Sequence, residues 1–180
     1  MCLGWARTLA RSIRHTDAVH QFVAALCRQV REAGGAIDGI YPPHKAERRF
    51  EYDGRQFAIN PDAVLQFTVN GRRQTAMLEW ERRAAHPLLF RSKLRPYVAY
   101  FSTPAPLRDF GALPSLLFVL QDDAALTACL QTAREMSGDS YALTSQLFAT
   151  HAGLVSRFGP FGRIWSTSKA DGTRVEPFQR

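Results

Sequence analysis

Apolar side chains recur at intervals of three and four residues near the start of the chain, which is typical of one buried helix face. This pattern predicts a helix over residues 17–32, with Thr16 as its N-cap and Gly34-Gly35 as its stop. A separate, shorter amphipathic helix is predicted over residues 5–14. His15 and Asp17 lie where they either cap the longer helix or reach a neighbouring site.

The next part of the chain changes to short apolar runs separated by tight-turn pairs. Asp53-Gly54 and Asn70-Gly71 are both favoured turns of β-hairpins, and each is flanked by two such runs. Together with a short apolar segment at 37–41, they predict an antiparallel meander of three or four strands. The predicted hairpin strands cover residues 49–52, 56–60, 64–69 and 75–80.

The second half of the chain alternates between helical and strand patterns. A helix is predicted from His86-Pro87 to Phe101, kinked or divided by Pro96, and a loop is predicted around Pro104 and Pro106. Further on, the patterns predict a buried strand at 115–120, a helix at 124–136, a strand at 141–150, one or two helical turns at 151–158, a short strand at 164–165 and a loose tail. The order predicts an α/β fold with a mixed central sheet flanked by helices.

The length of 180 residues favours one domain. We place it at residues 15–166, after a lead-in helix at 1–14 and before a C-terminal tail at 167–180. No apolar run is long enough to cross a bilayer, so no membrane is expected, and the three cysteines lack a CxxC spacing. Both features favour a soluble protein of a reducing compartment.

The net charge of +7 is unevenly placed, because residues 1–110 carry 17 Lys/Arg against 10 Asp/Glu, while the rest carries six of each. A basic first part attracts polyanions, of which nucleic acid is the commonest. Only three of the basic residues are Lys, however, and such arginine richness can also reflect codon composition. The arginines considered as nucleic-acid contacts are Arg72, Arg73, Arg82, Arg83, Arg91 and Arg95.

Candidate chemistry is concentrated between Pro61 and Phe101. Asp62 opens one predicted strand and Glu79 closes the next, while Lys93 lies on the helix that follows. Because side chains alternate along a strand, Glu79 and Glu81 share one face and can both point at Asp62. Three carboxylates suit Mg²⁺, which prefers oxygen ligands. The same acids could instead form a solvated charge network with the arginines nearby.

These residues resemble the replication-relaxation family of bacterial plasmid and mobile-element proteins. The matching features are His15, Pro61-Asp62, Glu79-x-Glu81-Arg82, Lys93-Leu94-x-x-Tyr97 and Ile164-Trp165. Members of that family usually carry a preceding winged-helix DNA-binding domain, and this chain begins almost where such a domain would end. Tyr97 and Tyr100, three residues apart, are expected either to orient Lys93 or to pack in the core.

The family is in turn similar to the PD-(D/E)XK nucleases, so the resemblance implies a restriction-endonuclease-like α-β-β-β-α-β core. It also implies that Asp62 and Glu79 hold Mg²⁺. The lysine expected two residues after the second acid is replaced by Glu81. Lys93 could supply its charge from the next helix, or Arg82 or Arg83 could do so without acting as a base. The implied catalytic set is therefore Asp62, Glu79, Glu81 and Lys93.

Three functions are compatible with this sequence. The first is a DNA-associated protein of plasmid or mobile-element replication or transfer, in the bacterial cytoplasm, with a Mg²⁺-dependent phosphodiester-cleaving site. The second is a non-catalytic module that retains the nuclease fold in degenerate form and binds DNA or a replication or relaxase protein. The third is an unspecific binder of RNA or DNA ends.

Overall fold

A mixed seven-stranded sheet forms the centre of the protein in the computed structural model, which describes residues 3–81, 87–137, 141–168 and 173–178. The strands are β1 (Ala36–Tyr41), β2 (Arg48–Tyr52), β3 (Arg55–Ile59), β4 (Ala63–Val69), β5 (Arg72–Trp80), β6 (Ser115–Leu120), β7 (Leu147–His151), β8 (Trp165–Thr167) and β9 (Arg174–Val175). The helices are α1 (Leu3–Glu32), α2 (Pro43–Ala46), α3 (Pro87–Phe101), α4 (Ala105–Phe110), α5 (Asp123–Ser137), α6 (Tyr141–Gln146) and α7 (Ala152–Phe158).

The sheet combines an antiparallel half with a parallel centre. Its order is β1-β4-β5-β6-β7-β8-β9, in which β1, β4 and β5 pair antiparallel, and β5, β6 and β7 pair parallel. The remaining pairs, β7 with β8 and β8 with β9, are antiparallel. The α/β class and the mixed sheet flanked by helices are therefore confirmed.

Helices cover the sheet on both faces, so its central strands are buried throughout. All six residues of β6 are buried, which explains their uninterrupted apolar sequence. On one face, Tyr97 of α3 and residues of α5 pack against Phe118. On the other face, Phe22 of α1 packs edge-on against Trp80 and Trp165. Both tryptophans therefore pack against α1 on this face.

The two hairpin turns form where the sequence predicts them. Asp53 and Asn70 have positive φ angles of 51° and 52°, and the glycine after each is also left-handed. Asn and Asp tolerate this backbone region better than other non-glycine residues. The hairpin β2–β3 is nevertheless a sheet of its own, inserted between β1 and β4, and its Phe50 packs against Tyr100 of α3. The main meander thus consists of β1, β4 and β5.

Several predicted boundaries are wrong. The two helices expected at 5–14 and 17–32 are one continuous helix, α1, because Thr16 continues the helix instead of capping it. Residues 141–146 form a helix, so only the second half of the strand predicted at 141–150 is β7. Pro104 and Pro106 lie at the start of a helix, where proline's fixed φ is tolerated, rather than in a loop.

Two further details correct the sequence interpretation. Helix α3 runs through Pro96 without being divided. The segment expected to be a loose tail contributes β9, and its Phe178 is buried with its ring 5.1 Å from that of Phe67. Within the described residues, no helix combines the length and the apolar character that crossing a membrane requires.

Candidate active site

The register of β4 and β5 places Asp62 opposite Glu79. Ala63 pairs with Leu78, and the backbone N–H of Asp62 donates to the carbonyl of Leu78 at 2.8 Å, so the next residues outward face each other. Residues directly opposite in an antiparallel pair have side chains on the same face of the sheet. The spacing of the two acids along the sequence is thereby converted into proximity at one edge of the sheet.

Glu79 is a buried carboxylate with two side-chain partners. Its side chain lies on the α3 face, where the residue is 2% exposed. Oε2 lies 2.6 Å from Nζ of Lys93, and Oε1 accepts a hydrogen bond from the hydroxyl of Tyr97. Burial raises the pKa of Glu79 to about 7, because it outweighs the opposing charge of Lys93, and the negative charge of Asp62 adds to the increase.

Lys93 joins the carboxylates of Glu79 and Glu81. Its Nζ is 3.1 Å from Oε2 of Glu81, in addition to its contact with Glu79. Burial opposes the charged ammonium, but these two carboxylates outweigh it and raise the pKa of Lys93 above its ordinary value. The ammonium is therefore charged at neutral pH. The expectation that Lys93 reaches back from the next helix to the acids agrees with this geometry.

Asp62 is fixed by one backbone and one side-chain contact. Its Oδ2 accepts a hydrogen bond of 2.7 Å from the backbone N–H of Trp80, the residue after Glu79. Its Oδ1 lies 3.0 Å from Nε2 of His15, which is on α1. The side chain of Asp62 is partly buried, with 19% of its surface exposed.

Two helices from opposite faces of the sheet meet at this edge. Helix α3 supplies Lys93 and Tyr97, which lie one turn apart and therefore share a side of the helix. Helix α1 supplies His15, and its position is held by Phe22 against Trp80, with ring centroids 6.2 Å apart. Glu79, Lys93 and His15 thus lie on packed elements, and Asp62 directly precedes β4.

His15 is the site residue that is absent from the predicted catalytic set. The sequence places it before a helix, 47 residues from Asp62, and nothing in its spacing identifies its partner. Its position at the start of the predicted helix and its presence among the residues of the family resemblance were the available signals. Tyr97 is buried in the core, which is one of the two roles expected of it, and it donates a hydrogen bond to Glu79. Burial, followed by the charge of Glu79, raises the pKa of Tyr97 well above its ordinary value.

Of the candidate nucleic-acid arginines, those that the structure describes do not converge on this cluster. Arg72 and Arg73 are exposed at the other end of the β4–β5 pair, about 20 Å from Asp62 along the seven residues of β4. Arg91 pairs with Glu135 of α5, and Arg95 is exposed one turn further along α3. Arg82 and Arg83 lie outside the described residues.

The donor atoms at this edge fit Mg²⁺ in type. Asp62 and Glu79 offer oxygen ligands, and magnesium is commonly held by one or two carboxylates together with water and substrate phosphate. Within the described residues, no group of three or more His, Cys, Asp or Glu side chains is placed to hold a metal ion. A bound ion would therefore rely on these two carboxylates, which now contact Lys93 and His15.

Comparison with known proteins adds no assignment. A scan against protein-family models gave no match, and searches of curated proteins and of solved structures gave none either.

Proposed function

We propose that this chain is a nucleic-acid-processing protein that cleaves phosphodiester bonds with the help of a divalent metal ion. The observation that carries the proposal is the meeting of Asp62 and Glu79 from neighbouring strands with Lys93 from the following helix. The order α1, β1, β4, β5, α3, β6 supports a restriction-endonuclease-like core, since three antiparallel strands are followed by a helix and a parallel strand. This is the core expected from the likeness to the replication-relaxation family.

The residues of the site have distinct tasks in such a reaction. Lys93 is a charged ammonium next to both acids, so it can balance negative charge that develops on a phosphate. Tyr97 stays protonated and donates to Glu79, which fixes the orientation of that carboxylate. The N–H of Trp80 and the ring of His15 hold Asp62 in the same way.

Asp62 and Glu79 are the residues that would hold Mg²⁺. When bound, such an ion polarises a phosphoryl oxygen and lowers the pKa of a coordinated water. Lys93 would be held at the site by its contact with Glu81.

A second function is favoured by the same contacts. Both oxygens of Glu79 and both oxygens of Asp62 already have protein partners. A site that is closed in this way also suits a protein that keeps the fold but binds nucleic acid without cutting it.

Cleavage of supercoiled plasmid DNA distinguishes these two functions. We expect nicked or linear products with Mg²⁺ or Mn²⁺ and none in EDTA. Asp62→Asn and Glu79→Gln keep the shape of each side chain while removing its charge, and each should lower the rate at least 100-fold.

Glu51→Gln is the matched control, because Glu51 is an exposed carboxylate on β2 and contacts no residue of the site. Its rate should equal that of the wild type. Equal cleavage by wild type and Asp62→Asn would rule out this site as the source of activity. A folded wild type that cuts nothing with either metal would reject the nuclease function and favour the binding function.

A further inference from the structure

Acids outnumber bases in the described cluster at the Asp62–Glu79 edge. The cluster contains the carboxylates of Asp62, Glu79 and Glu81 and the ammonium of Lys93, while Arg82 and Arg83 lie outside the described residues. Arg91 is engaged with Glu135 on the outer side of α3. A basic element next to this edge would strengthen the binding of a polyanionic substrate, because phosphate contacts by Lys and Arg provide most of the affinity.

The first part of α1 lies next to this edge. The helix packs on the sheet through Val19, Phe22, Leu26 and Val30, and its C-terminal end leads through Gly35 into β1 at the end of the sheet opposite Asp62. His15 contacts Asp62, so the helix reaches the catalytic edge at this residue. Residues 3–14 therefore extend past the edge, over a length of about 18 Å.

The described side chains just before His15 are exposed. Ser12 and Arg14 are exposed, and Ile13 is 59% exposed although it is apolar. Successive residues of a helix point about 100° apart, so no element among the described residues covers α1 at this point. We name residues 3–14 of α1 the basic arm.

The sequence of the basic arm has one sign of charge. Arg7, Arg11 and Arg14 are its charged residues, and the first acid of the chain is Asp17. Spacings of four and three residues put these three positions on one side of the helical backbone. His15, which contacts Asp62, follows four residues after Arg11.

From these observations we infer that the basic arm binds the phosphate backbone of the nucleic acid and leads it to the Asp62–Glu79 edge. The inference rests on the proposed function in one respect, that the substrate is nucleic acid. The positive charge of the basic arm is complementary to a polyanion. A helix of this length covers about five base pairs of duplex at 3.4 Å each. A helix is also the element that the major groove admits.

Binding measured without cleavage tests this inference. Fluorescence anisotropy with a labelled 30-base-pair duplex, in EDTA, compares the wild-type chain with a variant that combines Arg7→Ala, Arg11→Ala and Arg14→Ala. We expect at least a tenfold loss of affinity. The slope of log affinity against log salt should become shallower by about two to three, at roughly 0.9 per phosphate contact.

Three exposed arginines away from the edge provide the matched control. Arg28→Ala and Arg31→Ala lie on the other half of the same helix, and Arg55→Ala lies on β3. This variant removes the same charge and should change affinity less than threefold. A third variant, with Lys at positions 7, 11 and 14, retains the charge and should bind nearly as well as wild type.

Equal losses in the two alanine variants would overturn the inference, because net charge alone would then explain binding. Unchanged binding in the arm variant would overturn it as well. A third outcome would overturn it too: the wild type sediments as a dimer, the double variant Leu9→Ser with Ile13→Ser is a monomer, and the arm variant binds DNA normally. The arm would then contact protein and not nucleic acid. Loss of cleavage in Asp62→Asn with intact binding would leave this inference standing, which separates its failure from that of the nuclease proposal.

Discussion

The two ends of the β4–β5 pair carry charged residues in opposite circumstances. At one end, Glu79 is buried and contacts Lys93 and Tyr97. At the other end, Arg72 and Arg73 flank a tight turn and are exposed to solvent. Charges in water interact weakly, whereas a buried charge must be compensated by specific partners. At one end of these two strands a charged side chain therefore needs specific partners for the protein to stay stable, and at the other end it does not.

The largest expected effect is that of Lys93→Ala. The substitution leaves Glu79 buried without its cationic partner, and breaking a buried ion pair in this way costs about 3–5 kcal/mol. We expect a loss of that size in the free energy of unfolding at pH 8, measured by urea denaturation. The loss should be smaller at pH 5, because Glu79 is then protonated with or without Lys93. Full stability of the variant at pH 8 would contradict the buried pair.

The pH dependence of stability comes next in size. Folded Glu79 keeps its proton to about pH 7, whereas an ordinary glutamate releases it near 4.5, so the folded state binds more protons between these values. Stability should therefore fall as pH rises through this window, by about 3 kcal/mol for this residue.

Glu79→Gln removes this titration and provides the comparison. The difference in unfolding free energy between wild type and variant, measured at pH 4.5, 6 and 8, should change in favour of the variant as pH rises. A difference that stays constant over this range would show that Glu79 titrates normally in the folded protein.

At the end of the sheet opposite Asp62, stability depends on the space around the backbone rather than on charge. A Cβ added at Gly35 would lie 2.4 Å from the carbonyl oxygen of Thr68, so Gly35→Ala must displace the start of β1 from β4. We expect a loss of about 2 kcal/mol in unfolding free energy. Gly34→Ala is the control, since its Cβ would meet nothing within 4 Å and only its φ of +72° is unfavourable, at about 1 kcal/mol. Equal losses at both positions would refute the steric explanation.

The smallest effect is expected for Arg72→Ala combined with Arg73→Ala. Both side chains are exposed, and the described contact of Arg73 is a long hydrogen bond of 3.4 Å to Gln66. The unfolding free energy should change by no more than about 0.5 kcal/mol. A loss approaching that of Lys93→Ala would remove the contrast between the two ends of the strands.

Local patterns were sufficient for much of the fold. The turns at Asp53-Gly54 and Asn70-Gly71 follow from residue types that tolerate positive φ, and the strand at Ser115–Leu120 follows from its uninterrupted apolar run. The α/β class follows from the order of these elements. The patterns failed where a residue's local preference was overridden. Thr16 favours a cap but lies inside a helix, because α1 continues past the sheet edge.

The sequence by itself determined which residues could carry chemistry, and it also determined that Glu79 and Glu81 alternate with Trp80 along one strand. Only the tertiary structure decided which of them meet. The pairing of Ala63 with Leu78 sets Asp62 beside Glu79, and the packing of α1 and α3 on opposite faces brings His15 and Lys93 to the same edge. Helix packing and strand register depend on contacts between residues far apart in the chain, so no local spacing specifies them.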